Sequence, residues 1–308
     1  MARSSTPAQL FALTVTTSPE AGEAVGELLF RVTRESAVIT HDRLRAESRV
    51  TVYHGQSDFF QATRRRELRA GLEAIQDCGL NIGPARIAWR RVKAADWRES
   101  WKRHFRPMLI GRSLLVRPSW SRRRPEAGQK ELVLDPGLSF GTGQHPTTGF
   151  CLAEIVRLRP RKGRAALLDV GTGSGILALA AAQLGYAPVR GFDFDPEAIE
   201  VARRNAANNR LVEKVILVRG DVARLSPRPR RRYDVVTANL TSDLLVKHAA
   251  NLVAQVVPGG ALVLAGILAE EFPAVRRTFE ALGARPLRSQ HRREWQSGSF
   301  RLPSVGKP

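Results

Sequence analysis

The sequence predicts an α/β protein in two parts: a Rossmann-like, doubly wound parallel-sheet domain preceded by a small ferredoxin-like α+β domain. Three observations carry that prediction. From about residue 130 onward, apolar runs rich in valine, leucine and alanine alternate with helical stretches, the pattern of a parallel sheet covered on both faces. Within that region a glycine-rich turn leads directly from a strand into a helix. Before residue 93 the periodicities follow the order β-α-β-β-α-β. At 308 residues, 43% apolar and 25% charged, the chain can bury two cores without disulfide or metal nucleation.

In the first part, alternation predicts strands at 10–16, 37–41, 49–53 and 85–92, and a 3.6-residue period predicts helices at 20–32 and 59–77. This domain, 1–93, carries no nucleophile or metal cluster and reads as a recognition module. Residues 94–129 read as a linker helix and connector. Trp97, Trp101 and Phe105 share one helix face there, either as core packing or as cover for a ligand, and 121–129 form a polar loop. In the catalytic part, 130–308, strands are expected at 166–170, 189–194, 215–219, 233–238 and 261–265, with helices at 175–184 and 196–209 among those between them. In such sheets ligands bind outside the carboxyl ends of the strands.

Charge narrows the partners less than its size suggests. Forty-nine basic against 29 acidic residues give a formal net charge of +20, but only seven of the basic residues are lysines. Arginine runs such as 64–66, 122–124 and 230–232 fit either solvated loops in an arginine-biased proteome or a functional basic surface. Cys78 and Cys151 lie far apart with no metal-ligand spacing, which points to a reducing compartment. The first residues lack a basic segment followed by a long apolar one, and no apolar run approaches the roughly 18 residues of a membrane span, so a cytoplasmic enzyme is expected.

The chemistry begins at Asp169-Val170-Gly171-Thr172-Gly173-Ser174-Gly175, where glycines permit a tight turn and close approach of backbone to an adenosyl ligand. The spacing is GxGxG, with Asp169 ahead of the first glycine. That fits S-adenosylmethionine better than NAD, and it makes Asp169, Gly171 and Gly173 cofactor-binding candidates. Twenty-two residues after Gly171, Asp193 ends the second strand, where a carboxylate can accept from both ribose hydroxyls. Asp195-Pro196 reads as a helix cap. Asp221, after the third strand, is placed to meet the adenine amino group or simply to make a Gly-Asp turn. The fourth strand runs into Asn239, whose amide would stand beside the cofactor's methyl group. Leu240-Thr241-Ser242 replaces the Pro-Pro-aromatic run expected for nucleobase methylation, which favours an aliphatic amine as acceptor.

Upstream, Leu134-Asp135-Pro136-Gly137-Leu138-Ser139-Phe140-Gly141-Thr142-Gly143-Gln144-His145-Pro146-Thr147-Thr148 lacks the lysine of a phosphate loop. With DWRESWKRHFRP, Val116 to Trp120, GFDFDPEAI and Glu294-Trp295, it closely resembles the signature of the ribosomal protein L-eleven methyltransferases, over nearly the whole chain. The resemblance implies a class I methyltransferase domain and transfer of methyl groups from S-adenosylmethionine to lysine ε-amines, and to the N-terminal α-amine, of ribosomal protein L-eleven. It implies Thr148, Gly171, Asp193 and Asn239 as cofactor contacts, Asn239 as the catalytic residue, and Phe140 and Thr142 as neighbours of the methionine moiety. It further implies an N-terminal domain that holds the substrate. A monomer is expected, with no membrane association and weak contact to ribosomal RNA through the basic surface. The rival readings are an RNA-modifying or RNA-binding protein, disfavoured because the strands around Val38 and Val52 lack a stacking aromatic pair, an NAD-dependent oxidoreductase, disfavoured by the glycine spacing, and a methyltransferase for lysines of another protein.

Overall fold

A computed structural model of the chain describes residues 10–33, 35, 37–42, 46–56, 58–92, 106–135, 145–160 and 163–304. Trp97, Trp101 and Phe105 lie outside them, as do Phe140 and Thr142. The chain divides into two compact units, 1–104 and 105–308.

In the smaller unit, β1 (Leu10–Thr17), α1 (Gly22–Thr33), β2 (Val38–Asp42), β3 (Glu47–His54), α2 (Ala62–Asp77) and β4 (Arg86–Val92) follow one another. The sheet order is β2-β3-β1-β4 with every pair antiparallel, the ferredoxin-like arrangement expected from the sequence. Alternation along β1 explains the packing, because Phe11, Leu13 and Val15 are buried while Ala12, Thr14 and Thr16 are only half-buried. Val25, Leu28 and Leu29 of α1 and Leu68 and Leu72 of α2 close the core. The helices pack closely at Gly71, where an added Cβ would stand 2.2 Å from Leu28 Cδ1.

The larger unit opens with three short strands that the sequence reading placed in the connector or did not foresee: β5 (Met108–Ile110), β6 (Leu114–Arg117) and β7 (Lys130–Val133). They form a sheet in the order β5-β6-β7, β5 antiparallel and β7 parallel to β6. Residues 108–110 and 114–117, expected within the connector, are therefore strands. The strand β6 is buried throughout, including Arg117, whose Nε donates to Glu131 Oε1 at 2.6 Å while the same guanidinium reaches the Pro118 carbonyl. Asn209 ties this small sheet to the rest of the unit, accepting from Val133 N–H and donating to its carbonyl, both at 2.7 Å.

The main sheet has seven strands. Its elements are α3 (Pro146–Leu158), β8 (Leu167–Val170), α4 (Ile176–Gln183), β9 (Val189–Asp193), α5 (Pro196–Asn208), β10 (Val215–Arg219), β11 (Tyr233–Asn239), α6 (Ser242–Lys247), α7 (Ala249–Ala254), β12 (Val256–Leu268), α8 (Phe272–Ala281), β13 (Arg285–Arg292) and β14 (Trp295–Arg301). The order is β10-β9-β8-β11-β12-β14-β13, and β14 pairs antiparallel with both its neighbours. Two apolar clusters fill its two faces, one under α3 and α4 and the other under α6, α7 and α8. Residues 176–182 of α4 are all buried, so that helix reads as an unbroken apolar run rather than an amphipathic stripe. Among the described residues no helix is long and apolar enough to cross a membrane.

Candidate functional site

The carboxyl ends of β8, β9, β10 and β11 bring most of the sequence-predicted residues to one edge. After β8 the backbone turns through Gly171 (φ 71°) and Gly175 (φ 82°), in the left-handed region where a side chain is strained. A Cβ on Gly171 would fall 2.5 Å from Leu240 Cδ2, and one on Gly175 would fall 3.0 Å from Ala202 Cβ of α5. The turn is pinned from several sides. Gly171 and Thr172 N–H both donate to the Phe192 carbonyl, at 3.0 and 2.9 Å, and Asn205 Nδ2 donates to the Ser174 carbonyl at 2.9 Å.

Asp193, at the end of β9, is half-buried and held by backbone: Oδ2 accepts from Gly173 N–H at 2.8 Å and Oδ1 from Asp195 N–H at 3.1 Å. Two backbone donors leave a carboxylate spare lone pairs, so Asp193 is fixed in orientation yet able to accept from a further pair of hydroxyls. Asp195 caps α5 by accepting from Glu197 N–H, with Pro196 at the first helical position. Asp221 caps the single 3₁₀ turn Val222–Arg224 through Oδ1, accepting from Ala223 N–H at 2.9 Å. Gly220 N–H donates to the Asp193 carbonyl at 2.9 Å, so the ends of β9 and β10 are tied together.

Asp169 differs from the others in position. It is fully buried, Oδ2 accepting from Thr172 Oγ1 at 2.6 Å and Oδ1 from Thr237 Oγ1 at 2.7 Å. Burial, only partly opposed by these two hydroxyls, raises its pKa to about 6. Neither threonine was singled out from the sequence, and together they make Asp169 a brace beneath the turn.

Asn239 is half-buried at the end of β11. Its Oδ1 lies against Gly266 of β12, where a Cβ would come within 3.0 Å of it, and Leu240 N–H donates to the Ala265 carbonyl. Thr148, buried in the first turn of α3, follows His145, whose Nδ1 shares a 2.7 Å hydrogen bond with Thr147 Oγ1. Sequence reasoning also missed a packing partner of that histidine: Trp295 of β14 stands edge-to-face with it, ring centroids 4.9 Å apart.

The family model for ribosomal protein L11 methyltransferase (PrmA) matches residues 9–302 of this sequence. The chain belongs to that family. A ribosomal protein L11 methyltransferase of Geobacter metallireducens is 41% identical over 216 residues, 70% of this chain and 69% of its own. One from Pelobacter propionicus is 37% identical over 84% of this chain and 83% of its own. The crystal structure of a ribosomal protein L11 methylase from Lactobacillus delbrueckii subsp. bulgaricus aligns with a TM-score of 0.56 at 25% identity, covering 65% of this chain and 98% of that one. The larger unit accordingly has the class I methyltransferase fold anticipated for the family.

Proposed function

We propose that this protein transfers methyl groups from S-adenosylmethionine to lysine ε-amines, and to the N-terminal α-amine, of ribosomal protein L11. The observation that carries this reading is the convergence at one strand edge of Asn239, the glycine turn and the backbone-locked Asp193, in a chain matched by the family from residue 9 to 302.

The residues present fit S-adenosylmethionine. Gly171 and Gly173 offer bare backbone, Asp193 offers oriented acceptors for ribose hydroxyls, and Asp221 keeps one carboxylate oxygen outside its cap for an amino group. Asp169 contributes from below by bracing the turn, and Thr148 stands at the first turn of α3. Phe140 and Thr142 are assigned to the methionine end on the resemblance alone.

When bound, S-adenosylmethionine supplies a methyl group on a sulfonium, already activated for in-line displacement, so the protein's task is largely positioning. A lysine amine, with a solution pKa of about 10.4, must reach the site unprotonated, and desolvation favours that form. Asn239 Oδ1, with neighbouring backbone carbonyls, accepts from the neutral amine and aims its lone pair. The displaced proton leaves to water.

The smaller unit, 1–93, is assigned to holding L11, and the cytoplasm is the expected compartment for a monomeric enzyme acting on a ribosomal protein. Weak contact with ribosomal RNA is favoured by β13, whose eight residues are all exposed and include Arg285, Arg288 and Arg292. Intact-mass spectrometry of free L11 and of ribosomal RNA, each incubated with S-adenosylmethionine and this protein, tests the reading. Whole methyl increments on L11, mapped to lysines and the N-terminus, are expected, with an Asn239→Ala protein at least tenfold slower if one charge-orienting hydrogen bond of about 1.5 kcal/mol is lost. Gain of mass on the RNA alone would replace the substrate and keep the fold.

A further inference from the structure

Arginine is distributed unevenly between the two edges of the seven-stranded sheet. The turns that follow the parallel strands β8, β9, β11 and β12, at 171–175, 194–195, 240–241 and 269–271, hold neither arginine nor lysine, and the segment 220–225 after β10 holds one arginine. At the opposite edge, Arg159 and Arg164 precede β8, and Arg228, Arg230, Arg231 and Arg232 precede β11, all of them exposed. A compositional bias toward arginine would load both edges alike. A carboxyl edge poor in cations suits a cationic sulfonium, but that does not account for the crowding at the amino edge. Like charges gathered there repel one another, and among the described residues none of the six has an ion pair.

The strand pairing brings these arginines together. The strands β8 and β11 are neighbours, Val235 N–H donates to the Ala166 carbonyl at 3.1 Å, and Ala166 N–H donates to Asp234 Oδ2 at 2.7 Å, so the segments leading into the two strands lie side by side. Arg301, at the end of β14, joins the same edge: it pairs with Ala261 of β12 and with Arg285 of β13, and its Nη1 donates to the Gly259 carbonyl at 2.9 Å. The surface between them is grooved, with a cavity of about 230 Å³ lined by Leu158, Ala165, Asp234, Gly259 and Arg301. From β8 to β13 the edge crosses β11, β12 and β14, a width of roughly 19 Å at about 4.8 Å per strand. That is too wide for one small anion and suits several successive phosphates of a chain.

We infer that the amino edge of the seven-stranded sheet binds RNA through its phosphate backbone, with Arg230, Arg231 and Arg232 among the contacts. This rests on the RNA contact proposed above and gives it a place, to which β13 adds Arg285. Guanidinium groups match phosphate oxygens in charge and in paired hydrogen-bond geometry. The segments 159–165 and 226–232 read RPRKGRA and SPRPRRR and carry no large apolar side chain to insert into a membrane. Contacts of this kind position RNA without reading its sequence. The seven residues of β11 separate this edge from Asn239 by on the order of 20 Å, so bound RNA leaves the cofactor edge open.

The test measures, by fluorescence anisotropy, binding of the full-length protein to a labelled single-stranded RNA of about 20 nucleotides between about 50 and about 200 mM salt. A protein carrying Arg230→Gln, Arg231→Gln and Arg232→Gln should lower the slope of log K against log salt concentration by about 1–2, at roughly 0.7 per phosphate contact, and so bind about tenfold to a hundredfold more weakly at about 0.1 M salt. Lysine at the same three positions keeps the charge and should keep the slope. Tm and the Kd for S-adenosylmethionine should be those of wild type in both variants, since exposed loop positions are changed. Wild type without affinity for RNA overturns both the contact and its place. Wild-type binding that the glutamine variant retains unchanged overturns the place alone, and a loss shared by the lysine variant overturns the role of charge. Poly-L-glutamate should compete more weakly than unlabelled RNA, and equal competition would make the partner an acidic protein instead. Methylation of free L11 should proceed at the wild-type rate in the glutamine variant. If neither protein methylates L11, the methyl-transfer reading fails separately and the RNA comparison still stands.

Discussion

At the scale of single residues, the same carboxylate chemistry serves opposite ends. Asp193 is half-exposed and backbone-held, whereas Asp169, three residues before Thr172, is sealed from water with both oxygens spent on hydroxyls. The sequence shows both as acids at strand ends and could not separate them, because the difference lies in Thr172 and Thr237, the second of them 68 residues away. The separation has a pH signature. Burial raises the folded-state pKa of Asp169 to about 6, above the unfolded value of about 3.9. Between those values the folded chain binds more protons than the unfolded one, so this group's contribution to stability falls as pH rises from about 4 to about 6. Two pKa units correspond to about 3 kcal/mol at most. Denaturant unfolding of wild type and Asp169→Asn across that window should show the wild type losing stability relative to the variant as pH rises. Parallel curves would mean that Asp169 titrates as an ordinary surface acid.

At the scale of elements, legibility followed burial pattern. The strands β1 and β3 bury alternate residues, so period two was visible, and residues 176–182 of α4 and all of β8 are buried, which left unbroken apolar runs. The strand β13 is exposed along its whole length, reads RPLRSQHR, and offers no apolar alternation to find. The strands β5 and β6 are three and four residues long, below the length at which a period can be counted. Close helix packing was equally invisible, since nothing in the sequence says which side chain Gly71 must clear. That contact is testable. An alanine at 71 gains about 1 kcal/mol of helix propensity over glycine, yet its Cβ would meet Cδ1, Cδ2 and Cγ of Leu28, a side chain only 3% exposed with little room to yield. Overpacking of this kind costs about 1–3 kcal/mol, so Gly71→Ala should destabilise the smaller unit by up to about 2 kcal/mol. In a Leu28→Ala background the obstacle is gone and the same change should stabilise it. Additive effects in the double-mutant cycle would place the cost elsewhere.

At the scale of the whole molecule, the ferredoxin-like order, the doubly wound order and the sequence of strand-end motifs were all legible, because each is a local pattern repeated in a fixed order. The contact of His145 with Trp295 was not, since it joins positions 150 residues apart that only the insertion of β14 between β12 and β13 brings together. The two units each own an apolar core, one built on Leu13, Leu29 and Val50, the other on the two faces of the seven-stranded sheet. Units with separate cores should unfold in separate steps, so calorimetry of the full chain should resolve two transitions. The cofactor contacts proposed here all lie in the larger unit. A ligand that binds only the folded form at about 100 times its Kd stabilises that form by about 2.7 kcal/mol. S-adenosylmethionine should therefore raise the transition of the larger unit and leave that of the smaller one where it was. A single transition that moves as a whole would mean that the cores unfold together. In that case substrate held on the smaller unit would feel cofactor binding through shared stability, and Kd for L11 should tighten when S-adenosylmethionine is present.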